Sequence, residues 1–301
     1  MMRIKRTENS KAVGNEPPVV HIALKNSNQS FWFSGDRIQY EVSVKDKEDG
    51  NTHDGDIGEG KVKMNIDFVK EDVAELVDLN SVLKNEDVLL PVELSVGRYL
   101  LNNNDCNICH RMDTKLMGPS FDDIGKKYGT KPDGRGYLAG KIINGSVGIW
   151  GEEAMPPHPA ITMKEAELIA GYLLQHRTGT TKSKPLKGTV VIDDMSKNDG
   201  RYILRASYLD RDNGAASPIE TIEVRQLKSP KIGLVKADEI SGIILKHHIG
   251  RKPTAGTAKG DGYFKFENID LTRIDALEVE VNLAGMAENE KPEFKFFKKL
   301  V

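Results

Sequence analysis

The chain contains two cysteines, and they stand in one short stretch, Asp105-Cys106-Asn107-Ile108-Cys109-His110, with a histidine directly after the second. Two thiols at this spacing followed by an imidazole suit one chemistry above others. Both sulfurs add to the vinyl groups of a haem, and the histidine binds its iron. A Cys-x-x-Cys pair also fits thiol–disulfide exchange, but that chemistry needs a βαβ setting, which the surrounding pattern lacks. A zinc site needs four ligands, and two cysteines do not supply them. One covalent haem c is therefore the expected cofactor. Cys106 and Cys109 are its attachment points and His110 the proximal iron ligand.

A second strong iron ligand would separate a carrier from an enzyme, because it closes the position where a substrate could bind. Met112 and Met117 follow His110 too closely to reach the other face of a macrocycle, and Met163 opens a helix where a core or surface role is the default. A further methionine and histidine, Met155 and His158, stand in Met155-Pro156-Pro157-His158-Pro159. Helical patterns surround these residues. Ser95 is placed to cap a helix running through Val96-Gly97-Arg98-Tyr99-Leu100-Leu101 into the cysteine motif. From Glu165 to His176, Ala166, Ile169, Ala170, Leu173 and Leu174 recur at helical spacing.

Between these lie Gly118-Pro119-Ser120-Phe121, Leu138-Ala139-Gly140-Lys141-Ile142-Ile143 and Asn144-Gly145-Ser146-Val147-Gly148-Ile149-Trp150-Gly151. With these landmarks in order, residues 94–178 resemble a small class I bacterial cytochrome c of the c-551 type. The resemblance implies an all-α fold and Met155 as sixth iron ligand, with His158 as the weaker competitor. It implies that the Pro119 carbonyl accepts the His110 ring N–H. Trp150 would line the haem edge and give its indole N–H to a propionate, against the plainer reading of a core tryptophan. Gly97 and Tyr172 would mark a close crossing of the first and last helices. A thioether ligand favours ferrous iron and raises the potential, so the implied role is electron transfer and not catalysis. The rival readings are a haem peroxidase-like enzyme with an open sixth position, and a carbohydrate-binding accessory protein whose haem is secondary.

On both flanks the pattern changes to alternation, the mark of strands with one buried face. Ile38, Tyr40, Val42 and Val44 alternate with polar residues, as do Val62, Met64, Ile66 and Phe68. The run Phe33-x-Gly35-Asp36-x-Ile38-x-Tyr40-x-Val42-x-Val44-x-Asp46 resembles PKD/immunoglobulin-like modules, which implies a spacer or contact role. Beyond the cytochrome-like block, Gly262-Tyr263-x-x-Phe266-x-x-Ile269-Asp270-Leu271-Thr272-x-Ile274 resembles the jelly-roll carbohydrate-binding modules of family 6. That sandwich would be incomplete, because further strands are not evident after Gly285.

The expected architecture is thus multidomain: a β-sandwich, an all-α cytochrome c and a second β-sandwich. Its boundaries are a linker at 1–18, a PKD/Ig-like sandwich at 19–70, a linker at 71–93 and the cytochrome at 94–178. A linker at 179–187, a family-6-like sandwich at 188–285 and a tail at 286–301 follow. Module order also resembles the C-terminal parts of exported Bacteroidetes-type sugar dehydrogenases or trehalose-utilisation-like proteins.

Other candidates are weak. His21 and His53 have no partner cluster, nor does His247-His248. Asp46, Glu48, Asp49, Asp54 and Asp56 could offer oxygens to calcium but lack the spacing of a known loop, so a solvated acidic turn is the better reading. A polysaccharide partner would need exposed aromatic platforms. Tyr202, Tyr208, Tyr263 and Phe264 are available, and a core role suits their alternation better.

Charge points to no polyanion: 43 basic residues stand against 45 acidic ones, so nucleic acid is not expected. No apolar run approaches the ~20 residues of a membrane-crossing helix. The first residues, Met1-Met2-Arg3-Ile4-Lys5-Arg6-Thr7-Glu8, carry no apolar stretch of a secretory signal. Haem c is attached outside the bacterial cytoplasm, so the expectation is a periplasmic or surface protein whose export information lies upstream. Its expected partners are a sugar-oxidising dehydrogenase as donor and a cytochrome or oxidase as acceptor.

Overall fold

The computed structural model describes residues 15–192, 199–211, 217–248, 251–257, 262–278 and 295; for 245–248 and 251–257 it describes the backbone alone. The expected 1–18 linker lies mostly outside the described residues, as does nearly all of the expected 286–301 tail.

Strand β1 (Val19–Lys25) pairs antiparallel with β2 (Arg37–Asp46), from Val19↔Lys45 to Lys25↔Gln39. Alternation in β2 buries Ile38, Tyr40, Val42 and Val44 on one face. The short β3 (Gly50–Asn51) returns against the end of β2. Next comes β4 (Val62–Lys70), which runs directly into a helical stretch.

The helices are α1 (Glu71–Ala74), α2 (Leu79–Leu83), α3 (Val92–Asn102), the single turn α4 (Cys106–Cys109), α5 (Phe121–Tyr128), α6 (Gly134–Asn144) and α7 (Met163–Gln175). α3 begins earlier than the sequence suggested, with Pro91 and not Ser95 at its cap. Proline has a preset φ and no N–H to leave unsatisfied, which suits it to a helix start. Ser95 is inside the helix and bonds back to the Pro91 carbonyl at 3.3 Å. α3 and α7 cross at Gly97, where a Cβ would run into the carbonyl oxygen of Leu168. A capping box at Thr162 and Glu165 starts α7.

The strands that follow correct the expected domain plan. β5 (Lys187–Val191) pairs with β2, from Arg37↔Val191 to Glu41↔Lys187. β6 (Gly200–Leu209) pairs with the whole of β4, from Val62↔Tyr208 to Lys70↔Gly200, and β7 (Glu220–Leu227) pairs with β6. Residues from 19–70 and from 187–227 therefore build the same two sheets. They share one core containing Val20, Ile22, Trp32, Val42, Met64, Leu204, Tyr208 and Leu227. The Trp32 indole N–H donates to the Gly200 carbonyl at 3.0 Å across the two segments. Periodicity marks strands without naming their partners, and β4 finds its partner only after the helices.

Two expected linkers are likewise packed structure. The 71–93 stretch holds α1 and α2 and buries Val73, Leu79, Leu83 and Leu90 in the helical core. In the 179–187 stretch, Thr181 N–H donates to the Leu89 carbonyl, Lys184 N–H donates to the Met64 carbonyl, and the Leu186 carbonyl accepts from Val42 N–H. Strands β8 (Glu239–Ser241), β9 (Ile243–His248), β10 (Arg251–Thr257) and β11 (Tyr263–Lys265) form two two-stranded pairs, β8 with β11 and β9 with β10. Among the described residues the expected jelly roll over 188–285 is not formed. From Leu271 a separate compact unit begins, described over 271–278 as a turn and coil.

Strand β6, at the centre of the β4–β6–β7 sheet, is buried on both faces. On one face Met64, Leu204 and Ala206 join the sandwich core, and on the other Val69 and Ile203 join the helical core. Arg205 points to the helical side and is fully buried. Its guanidinium donates to Asp67 at 3.1 Å and to the carbonyls of Leu90 and Asp87. Burial raises the Asp67 carboxyl above its ordinary range although Arg205 opposes it, and burial lowers Arg205.

Candidate functional site

α4 is one turn long, so Cys106 and Cys109, three residues apart, share a face. Both thiols are free and half-buried. Burial, then the neighbouring Asp105, pushes the Cys106 thiol up. The chain leaves the turn at His110 in extended conformation (φ −120°, ψ 152°).

His110 is only 8% exposed. Its Nδ1 lies 2.7 Å from the Pro119 carbonyl oxygen, which can only accept. That bond places the proton on Nδ1 and leaves the Nε2 lone pair for a metal. The Phe121 ring stacks on the imidazole with centroids 5.3 Å apart and planes 21° apart. A Cβ on Gly118 would overlap the His110 ring, so no larger residue fits there without a shift. The intervening loop is closed by Gly118 N–H to the Cys109 carbonyl and by Phe121 N–H to the Arg111 carbonyl, both at 2.9 Å. Ser120 caps α5 by accepting from Asp123 N–H at 3.0 Å. Asp122, buried in that first turn, is held by His176 at 2.8 Å and by Arg177.

Met155 is fixed through its backbone. Its N–H donates to the Ser146 carbonyl at 2.8 Å and its carbonyl accepts from Ser146 N–H at 3.0 Å. Gly145, at φ +75°, permits this approach; a Cβ there would lie 2.6 Å from the Met155 carbonyl. The side chains of Met155 and Cys106 both pack against the helical core. Met112, Met117 and Met163 are exposed. Trp150 is 37% exposed and meets the Tyr128 ring edge-on, with centroids 6.3 Å apart. Tyr128 stacks in turn on Tyr137 with centroids 5.2 Å apart. Lysines cover these rings: Lys127 lies 4.1 Å from the Trp150 centroid, Lys131 4.9 Å from Tyr128 and Lys141 5.4 Å from Tyr137.

The weaker candidates do not converge. Asp46 Oδ1 accepts the N–H groups of Glu48 and Asp49, and Asp49 is held by Tyr208 and Arg211. No three His, Cys, Asp or Glu side chains cluster as a metal site among the described residues. Tyr202 and Tyr208 lie in the sandwich core, leaving Tyr263 as the exposed tyrosine of the four aromatic candidates. Of the His247-His248 pair only the backbone is described. Gly118, Phe121, Asp122 and Ser146 were not picked out as site residues by sequence. Gly118 and Phe121 lie within two residues of Pro119, and Ser146 lies in the Asn-Gly-Ser run, but contact with His110 and Met155 is what gives these three a role.

No family model matches the chain. Cytochrome c-552 of Nitrosomonas europaea is 43% identical over 75 residues, which is 25% of this chain and 73% of that protein. Cytochrome c-551 of Pseudomonas denitrificans is 39% identical over 80 residues, 27% of this chain and 96% of that protein. A crystal structure of the wild-type Nitrosomonas europaea cytochrome c552 is 42% identical over 26% of this chain and 95% of its own, with a TM-score of 0.25. Over this stretch the similarity is to c-type cytochromes. Through about a quarter of its length, the chain belongs to the class I cytochrome c-551/552 family.

Members of that family are electron carriers with one covalently bound c-type haem. The residues present fit the group: two free thiols on one face, and an imidazole whose Nδ1 is committed and whose Nε2 is available. No helix among the described residues is long and apolar enough to cross a membrane.

Proposed function

We propose that the chain is a single-electron carrier, with Cys106 and Cys109 as the covalent attachment points of one haem c and His110 and Met155 as its axial ligands. When bound, the haem supplies one reversible electron at its iron. The chain's own residues set the conditions. The Pro119 carbonyl holds Nδ1–H of His110, Phe121 stacks on the ring and Gly118 leaves room for it, so Nε2 keeps one direction. The hydrogen bond at 2.7 Å is the observation that carries the reading. Met155, pinned to Ser146, offers a soft thioether that favours the reduced charge and raises the potential. Were His110 and Met155 both to hold the iron, no position would be left for a substrate, which favours electron transfer over peroxidase-like chemistry. Trp150 is read as an edge residue that can turn its indole N–H to a propionate.

Lys127 over Trp150, Lys131 over Tyr128 and Lys141 over Tyr137 support a redox partner with an acidic face. The donor is read as a sugar-oxidising dehydrogenase and the acceptor as another cytochrome or an oxidase. The compartment is read as the periplasm or cell surface, where haem c is attached. Met155→Ala tests the ligand set. The oxidised protein should lose the long-wavelength absorption band of a methionine–iron bond, its midpoint potential should fall and cyanide should bind more tightly. An unchanged spectrum and potential would overturn Met155 as ligand.

A further inference from the structure

At one end of the sandwich three buried side-chain oxygens have no hydrogen-bond partner among the described residues: Asn15 Oδ1, Asp46 Oδ2 and Glu48 Oε2. An amide oxygen and two carboxylate oxygens can only accept, so a donor or a cation must satisfy them. They belong to segments apart in sequence, and a closed run of contacts brings these together. The Asn15 amide N–H groups donate to Asp210 Oδ2 at 2.7 Å and to the Ser217 carbonyl at 3.2 Å, which fixes the amide and leaves its oxygen unengaged. Next to Asp210, Arg211 donates to both Asp49 oxygens, from its backbone N–H at 2.8 Å and from Nε at 2.7 Å. The Asp49 N–H donates to Asp46 Oδ1 at 2.6 Å, and the Glu48 N–H donates to the same oxygen at 2.9 Å. Lys47 pairs with Glu16 and so returns the run to Asn15.

Charge at this end is unbalanced. Among the described residues, Glu16, Asp46, Glu48, Asp49 and Asp210 meet Lys47 and Arg211, and those two cations are committed to Glu16 and Asp49. Asp46 is only 5% exposed, and a carboxylate oxygen buried without a partner is costly. The rest of the acidic turn is occupied: Asp49 by Tyr208 and Arg211, Asp54 by the Asn51 amide and Asp56 by the Asn51 N–H. The turn therefore offers two donors of its own, and the third comes from Asn15, outside it. Oxygen donors of this kind suit a hard cation that accepts an irregular shell, which is calcium, and not the metals that seek thiolate or imidazole. From this geometry we infer that Asn15, Asp46 and Glu48 hold one calcium ion, with water or backbone carbonyls completing its shell. The ion ties the segment before β1 to the β2–β3 turn, and through Asp49 and Arg211 to the end of β6.

The test is calcium binding by the haem-loaded full chain after removal of divalent ions with EDTA. Equilibrium dialysis should find one calcium per chain with a Kd of about 10⁻⁴ M, weak because few of the ligands are charged. Saturating calcium should raise the thermal midpoint, and magnesium at the same concentration should raise it less, because magnesium gives up its water reluctantly. Asp46→Asn keeps the oxygen that accepts from Glu48 and Asp49, and should weaken calcium binding by about tenfold or more through the lost charge. Glu48→Gln should also lose about tenfold, and Asn15→Ala, which removes a neutral ligand, about threefold. Asp54→Asn should leave the affinity unchanged. No bound calcium at about 5 mM, well above that Kd, would overturn the site. So would calcium binding that Asp46→Asn and Glu48→Gln both leave intact, since the ion would then lie elsewhere. Glu48→Gln alters a half-buried side chain in a turn, so the test stands if Asp46→Asn folds poorly.

Discussion

The haem region and the β-sandwich are assembled by opposite means. Around His110 the partners lie close in sequence: Cys106, Cys109, Gly118, Pro119 and Phe121 are all within eleven residues of it. In the sandwich the partners lie far apart. β4 pairs with β6 and β2 with β5 only after the whole helical stretch has been traversed. A short loop fixes geometry with little lost chain entropy, whereas a long-range pair must be stabilised by the burial it brings. The helical stretch is thus an insertion between β4 and β5 of one sandwich, and the sheet β4–β6–β7 serves both cores.

The most severe way to break this contrast is to separate the strands. A chain of residues 19–70 alone should show no cooperative unfolding transition, since β4 lacks its partner and the sandwich half of its core. A two-state melt followed by circular dichroism would refute the shared-sandwich description. The next largest effect is expected at the junction. Arg205→Ala leaves Asp67 buried without its cation, and unfolding in urea should show a loss of about 3–5 kcal/mol. A change within experimental scatter would mean that the two cores are not joined through this residue.

The smallest effect belongs to the clamp between α5 and α7. His176, then Arg177, holds the Asp122 carboxyl below its ordinary range. A depressed folded-state pKa stabilises the fold above the unfolded value, and that contribution is lost as pH falls through the folded one. The thermal midpoint of the wild type should therefore drop below pH ~4. Asp122→Asn should melt earlier at neutral pH and show a flatter acid limb. Identical acid limbs would detach Asp122 from the stability of the haem region.

The alternation of β2 and β4 was legible as strands, and Ala166 to Leu174 as a helix, because local period reports which face is buried. Two separate sandwiches were the wrong inference from the same alternation, since period 2 is blind to partner choice. Likewise the 71–93 stretch looked like a linker, yet α2 and the segment beyond it bury Leu79, Leu83 and Leu90. Short helices carry too few turns for their stripe to stand out.

Sequence by itself brought the thiols and imidazole of Cys106, Cys109 and His110 into a single turn and its exit, the pattern on which the haem reading rests. Tertiary structure decided what surrounds them: Phe121 against the imidazole, the Ser146 bridge to Met155, and His158 turned to Asp105 and Ile142. It also decided that one sandwich encloses the insertion, since strand pairing depends on which surfaces can be buried together once the whole chain is present.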